Sequence, residues 1–336
     1  MKKLENPLFL ILLVFCQFHS QITFAQSQSS LIDKREISKT IDSIGKKLEA
    51  NYIFPDVASE MRTALEENFA NGKYDTLSLP ESLAKQLTDD LREVSKDKHL
   101  LVVYNPQIIA RENAMSDEDR ANEEAEWIKT WVSDLERDNY GIKKADMLEG
   151  NIGYLDLREF IDPKYSEDAL AQAMRRLSGS ETFILDLRNN DGGHPDMVEL
   201  VASYFFKDEP VLLANHYDRP KNEKTESWTR SSIIGKRMPE VDLFILTSSK
   251  TFSAAEAMSY FMQQLDRATI IGENTAGGAH LTGSVIATDK FYVRIPQGRP
   301  TSPITNSNWE GVGVIPDIEA VAENALEVAL QQVRSK

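Results

Sequence analysis

From residue 151 onward, short apolar runs alternate with helical stretches, and that alternation constrains the fold more than any other feature of the chain. Ile152–Leu157, Thr182–Leu187, Val211–Ala214, Val241–Thr247 and Ala268–Ile271 read as strands. Ser166–Leu177, Pro195–Phe206 and Ser253–Leu265 read as the helices between them. Strands separated by helices of this length imply a parallel sheet wrapped by right-handed crossovers, an α/β core. After Gly272 the chain becomes rich in glycine, shows short alternating strands such as Phe291–Ile295, and closes on a helix near Glu323–Val333.

The region before this core reads differently. Ile37, Ile41, Ile44 and Leu48 recur at spacings of three and four, as one face of a helix requires. Helices over Pro55–Phe69 and Pro80–Val94, each opened by proline, complete a small bundle. Ser116–Asp138 is acidic and helix-prone, and its stripe of Trp127, Ile128, Trp131 and Leu135 has the spacing of a packing face. The expected organisation is a leader over residues 1–25, a helical domain over 26–104, an acidic helical connector over 105–149 and the α/β domain over 150–336.

The leader expectation rests on three features. Lys2 and Lys3 precede a nine-residue apolar run, Leu8–Cys16, and Thr23-Phe24-Ala25 supplies small residues for cleavage after Ala25. The run is well short of the ~20 residues a membrane-spanning helix needs, so export to the periplasm or beyond is expected, with no integral span in the mature chain. Cys16 is the only cysteine, so removal of the leader leaves no disulfide, thiol nucleophile or thiolate metal site. The chain carries 38 basic and 53 acidic residues, a net charge of −15. An acidic surface repels phosphate backbones, which argues against a nucleic-acid partner.

Ligands of parallel α/β sheets bind where strands end and helices begin. Two such junctions stand out. Asp186-Leu187-Arg188-Asn189-Asn190-Asp191-Gly192-Gly193 leads into a helix, and paired glycines there leave backbone N–H groups uncovered for an oxyanion. The second junction, Ser248-Ser249-Lys250-Thr251-Phe252-Ser253-Ala254-Ala255-Glu256, presents the Ser253 hydroxyl at a helix start with the Ala254 amide beside it. Ser-x-x-Glu is also a capping box, and the two roles are compatible. A serine nucleophile needs a base, and the mature chain offers His99, His194, His216 and His280. His194 follows the double glycine and His216 lies in a lysine-rich stretch that reads as solvated surface. His280 lies in a glycine-rich loop, and spacing alone does not choose between it and His99. No histidine pair has metal-ligand spacing, so no metal and no organic cofactor is expected.

Taken together, these segments resemble the C-terminal processing, or tail-specific, serine peptidases. The resemblance rests on Asp186-Leu187-Arg188-x-Asn190-x-Gly192-Gly193, Thr251-Phe252-Ser253-Ala254-Ala255-Glu256, Ala268–Thr275 and the closing Trp309–Asp317. It implies the crotonase-like fold, in which a parallel-sheet core of the ClpP/crotonase type carries an N-terminal helical bundle. The helical region ending in Asp97-Lys98-His99-Leu100 is similar to the branch that includes tricorn and interphotoreceptor retinoid-binding protein. Many members use a lysine where this chain has Gly278, and tricorn-like members use a histidine and a glutamate instead. By that resemblance Ser253 is the nucleophile, His99 the base and Glu310 its orienting acid. Gly192, Gly193 and Ala254 would form the oxyanion hole, and Asn190, His194 and His280 would face substrate. Lys98 stands where tricorn has a serine. The implied partner is a protein or peptide substrate cut near its carboxyl end, with homo-oligomerisation left open. The alternative is an inactive module of the retinoid-binding type that holds apolar ligands or peptides.

Overall fold

A computed structural model describes residues 31–335, so the expected leader, its cleavage point and Cys16 lie outside the described residues. Contacts divide the chain into two units. One comprises the chain through Glu126 with Asp218–Asn222 and Leu281–Gly298; the other comprises Trp127–Tyr217, Glu223–His280 and Arg299–Lys336. Two excursions from the C-terminal part therefore join the first unit.

In the first unit, α1 (Lys34–Asn51), α2 (Pro55–Ala70) and α3 (Pro80–Ser95) form the expected helices. Asp33 caps α1 by accepting from Glu36 N–H at 2.8 Å, and prolines open α2 and α3, where the missing N–H would have had no partner anyway. Ile37, Ile41, Ile44 and Leu48 are all buried, as their periodicity requires. Asp90, buried on α3, accepts from the Tyr74 hydroxyl at 2.6 Å, from Lys73 Nζ at 2.8 Å and from Asn68 at 3.1 Å, so the loop after α2 is tied to α3. Lys96 ends α3 in the left-handed conformation, after which Asp97–Leu100 lead into β1 (Leu101–Tyr104) and α4 (Pro106–Ala114). The long strand β10 (Phe291–Thr301) runs antiparallel to β1 and to β9 (Leu281–Ile286).

The second unit contains the six-stranded sheet. In chain order its strands are β2 (Ile142–Leu148), β3 (Ile152–Leu157), β4 (Thr182–Asp186), β7 (Asp242–Thr247), β8 (Thr269–Gly272) and β11 (Ile318–Glu319). They are arranged β11-β8-β7-β4-β3-β2, all parallel except the edge strand β2, which returns antiparallel to β3. Leu155, Leu157, Phe183, Leu185, Leu243 and Ile245 point to the face covered by α6 (Pro163–Leu177), α7 (Pro195–Ser203) and α8 (Ala254–Gln264). Tyr154, Ile184, Phe244, Leu246 and Ile271 point to the other face and pack on α9 (Ala325–Arg334). Burial of every residue of β3 and β4 explains why these strands read as continuous apolar runs rather than as alternating ones.

Two expectations are corrected. The strand expected at Val211–Ala214 is longer, β5 (Leu212–Asp218), and lies outside the parallel sheet, beside β6 (Glu223–Trp228). His216 is therefore not solvated surface: it sits on β5 with its Nε2 2.8 Å from Ser227 Oγ, and burial lowers its pKa. The acidic helix forms as α5 (Asp117–Arg137), where Trp127 and Trp131 stack with ring centroids 5.5 Å apart and Trp131 meets Tyr165 edge-on. Among the described residues no helix is long and apolar enough to cross a membrane.

Candidate active site

The carboxyl ends of β4 and β7 lie side by side in register, so the two turns that follow them are neighbours. Thr251 fastens them together, its hydroxyl donating to Leu187 O at 2.8 Å while accepting from Ser248 N–H at 2.9 Å. Phe252 N–H donates to Asn190 O at 3.1 Å. The next residue, Ser253, has φ 54° and ψ −118°, a conformation that a residue with a Cβ avoids at a cost of roughly 1–3 kcal/mol. Ser253 opens α8, so its partly exposed hydroxyl stands at the positive end of a helix, on the kind of sharp strand-to-helix turn that presents nucleophilic serines in α/β hydrolases.

Close approach of the β4 turn explains its glycines. A Cβ on Gly192 would lie 2.8 Å from Ser253 Cβ and 3.2 Å from Ala254 N. One on Gly193 would lie 2.2 Å from Phe160 O, because Gly193 forms a parallel bridge with Phe160. That bridge consists of Phe160 N–H to Gly192 O at 2.8 Å and His194 N–H to Phe160 O at 2.6 Å. The N–H of Gly192 donates to Asn190 Oδ1 at 2.9 Å and is thus already engaged. Gly193 is exposed, and neither its N–H nor that of Ala254 donates a hydrogen bond among the described residues.

Asn190 is fully buried, and its Nδ2 donates to Leu157 O at 2.9 Å. Its Oδ1 accepts from Gly192 N–H and its carbonyl from Phe252 N–H, so it is a strut joining the two turns to the end of β3. His194 caps α7, accepting from Asp196 N–H at 3.3 Å, with its side chain 41% exposed. Asp186, at the end of β4, is held in place by Arg188 and by the Tyr154 hydroxyl at 2.6 Å. Burial works to raise its pKa, but these donors outweigh burial and hold it below the usual carboxylate range.

Glu256, on the first turn of α8, has no exposed surface and gathers four donors. Its Oε2 accepts from Ser253 N–H at 2.8 Å and Gly278 N–H at 2.9 Å; its Oε1 accepts from Thr275 Oγ1 and Gly277 N–H, both at 2.6 Å. The acid half of the expected capping box is therefore present, but it does more than cap. It ties the Ser253 backbone to the loop at Gly277–Gly278. Burial raises the pKa of Glu256 against the pull of these donors. The sequence disclosed the Ser-x-x-Glu spacing but not the other three partners, which lie 19–22 residues away.

Beyond this loop, Glu310 Oε2 accepts from Ala279 N–H at 2.6 Å and His280 N–H at 3.2 Å, and lies 3.5 Å from His280 Nδ1. The His280 side chain is only 2% exposed. His99 belongs to the first unit. There its Nδ1 lies 3.5 Å from Oδ1 of the buried Asp97, which also accepts from His99 N–H at 3.0 Å and from the Tyr52 hydroxyl at 3.3 Å. His99 and His280 thus each have a carboxylate at the Nδ1 side.

Fold and turns together define a mixed α/β protein whose parallel strands end in a strained serine and uncommitted backbone amides. The family model for peptidase family S41 matches residues 151–320, half of the chain, and the N-terminal domain of that family as found in eukaryotic IRBP matches residues 24–136. The chain belongs to peptidase family S41. It is similar to a carboxyl-terminal-processing protease of Synechocystis, 26% identical over 167 residues, covering 50% of this chain and 37% of the relative. It is also similar to carboxyl-terminal-processing peptidase 1, chloroplastic, of Arabidopsis thaliana, 25% identical and covering 53% of this chain and 35% of the relative. The chain thus spans little more than a third of the length of these relatives. The crystal structure of a candidate peptidase from Parabacteroides merdae has the same fold, with a TM-score of 0.62 at 17% identity, covering 88% of this chain and 96% of that one.

Proposed function

We propose that this protein is an exported serine peptidase that cuts protein or peptide substrates near the carboxyl end. The observation that carries the reading is the strained backbone of Ser253 at the start of α8 beside the uncommitted amides of Gly193 and Ala254. Ser253 Oγ attacks the scissile carbonyl, and a histidine takes its proton and later delivers it to the leaving amine. The amides of Gly193 and Ala254 hold the oxyanion; Gly192, whose N–H is spent on Asn190, supplies closeness rather than a donor. His99, oriented by Asp97, is the base of the first reading. The carboxylate of Glu310 beside His280 favours a second reading in which His280 is the base and Glu310 its orienter. Direction toward carboxyl ends, and export, draw support from the names of the relatives and from the residues before Gln26 respectively.

Reaction with a fluorophosphonate tests the nucleophile and separates a peptidase from a ligand-binding module. Wild-type protein should label and Ser253→Ala should not; equal labelling of both would sink the assignment. In the same assay the loss on His99→Ala should exceed that on His280→Ala by tenfold or more, of the order expected for a general base. The reverse ranking moves the base to His280.

A further inference from the structure

We infer that Glu159 is a positioning residue for the oxyanion site, and that its protonation state sets how firmly the Gly193 amide is held. The inference rests on the peptidase reading for its catalytic meaning, but not for its geometry. Glu159 immediately precedes Phe160, the residue whose two backbone hydrogen bonds fasten Gly192 and His194 on either side of Gly193. Any displacement of the Glu159 backbone is therefore passed directly to the amide that would face the oxyanion.

Three features confine Glu159. Arg158 N–H donates to Gly141 O at 2.7 Å, at the end of a turn in which Asn139, Tyr140 and Gly141 are all left-handed. Gly141 lies flush against Glu159: a Cβ there would be 3.1 Å from Glu159 O and 3.2 Å from its N. The Arg158 guanidinium is committed to Asp156, with Nη2 at 2.8 Å from Oδ2, and does not neutralise its neighbour. The charged groups that face the partly buried Glu159 carboxyl are both acids, Asp191 from the turn after β4 and Asp138 from the end of α5.

This arrangement makes the ionised form costly. Burial first, then repulsion from Asp191 and Asp138, pushes the Glu159 carboxyl up to about 7. Below that pH Glu159, one residue before the Phe160 bridge, is neutral. Above it a new negative charge faces Asp191, which directly precedes Gly192 and Gly193. The repulsion acts on the short segment whose close fit to Phe160 leaves no spare space. Loss of a well-placed oxyanion donor lowers rate by large factors, so even a partial loosening is measurable. Peptidase activity should accordingly have a descending limb near pH 7 that no group of the nucleophile–base pair produces.

The test uses full-length protein labelled with ¹⁵N-glycine, with the Gly193 amide shift followed from pH 5.5 to 9. In the wild type this shift should titrate with a midpoint near 7. Glu159→Gln should abolish the titration, and Asp191→Asn should lower the midpoint because one of the repelling charges is gone. In parallel, the fluorophosphonate labelling rate of the wild type should fall severalfold across the same midpoint relative to Glu159→Gln. A Gly193 titration that survives Glu159→Gln, or a midpoint indifferent to Asp191→Asn, overturns the inference. Persistent titration in a wild-type protein that never labels would leave the positioning role standing and remove the peptidase reading instead.

Discussion

Two turns of this protein start from parallel neighbouring strands and lead into helices, yet they manage backbone strain in opposite ways. After β4, the unusual dihedrals fall on Gly192 (φ 118°) and Gly193 (φ 131°), and the cap His194 keeps an ordinary extended conformation. After β7, the strain falls on the proposed nucleophile itself, since Ser253 has φ 54° and no glycine adjoins it. On the proposed peptidase reading, the difference follows from what each turn must present. The first offers a backbone N–H, which glycine exposes without obstruction. The second offers a hydroxyl, so the position must carry a side chain, and neighbours must hold it there. Glu256 is that restraint, binding the Ser253 amide from within α8 and the Gly277–Gly278 amides from outside it.

The sharpest way to break this contrast is to place a Cβ in the first turn. Gly193→Ala would set a methyl 2.2 Å from Phe160 O and force a residue with a side chain to φ 131°. The bridge must then open, and the labelling rate or peptidase kcat should fall by about 10²–10³, the range seen when one oxyanion donor is lost. A rate within a few fold of wild type would mean that Gly193 is not a donor.

Removing the restraint on the second turn should act on stability as well. Glu256→Ala strands four donors in a site without solvent, at a cost of about 3 kcal/mol or more, because each buried group left unpaired costs roughly 1–3 kcal/mol. Thermal or urea unfolding measures that loss, and Ser253 should relax toward ordinary dihedrals in a crystal structure of the variant. Retention of the Ser253 conformation without Glu256 would show that the turn, not the carboxylate, stores the strain.

The smallest effect is expected at the cap of the first turn. His194→Ala removes a long hydrogen bond of 3.3 Å from a half-exposed side chain, so it should cost about 0.5–1 kcal/mol, at the low end for a helix cap. Labelling kinetics should change little. A large kinetic loss with intact stability would return His194 to the substrate-facing role read from the sequence.

Much of the fold was legible because burial writes itself into periodicity. The spacing of Ile37, Ile41, Ile44 and Leu48 announces α1, and the largely apolar runs of β3 and β4 announce a sheet covered on both faces. The antiparallel edge β2 was not legible, since Ile142–Leu148 mixes lysines with apolar residues on a strand that is half in solvent. Nor was the departure of β5 from the parallel sheet, because a strand's own residues do not name its partner.

At the site, the sequence by itself determined that a serine opens α8 and that two glycines precede α7, since local turn chemistry depends on residues a few positions apart. Only the tertiary structure decided which glycine keeps a free N–H, that Asn190 is a strut, that Glu256 serves four donors and that Glu310 lies against His280. Hydrogen-bond partnership is set by which atoms arrive within about 3 Å of one another. Those atoms come from segments up to 64 residues apart in the chain, as with Thr251 and Leu187, a relation that no pattern of neighbours encodes.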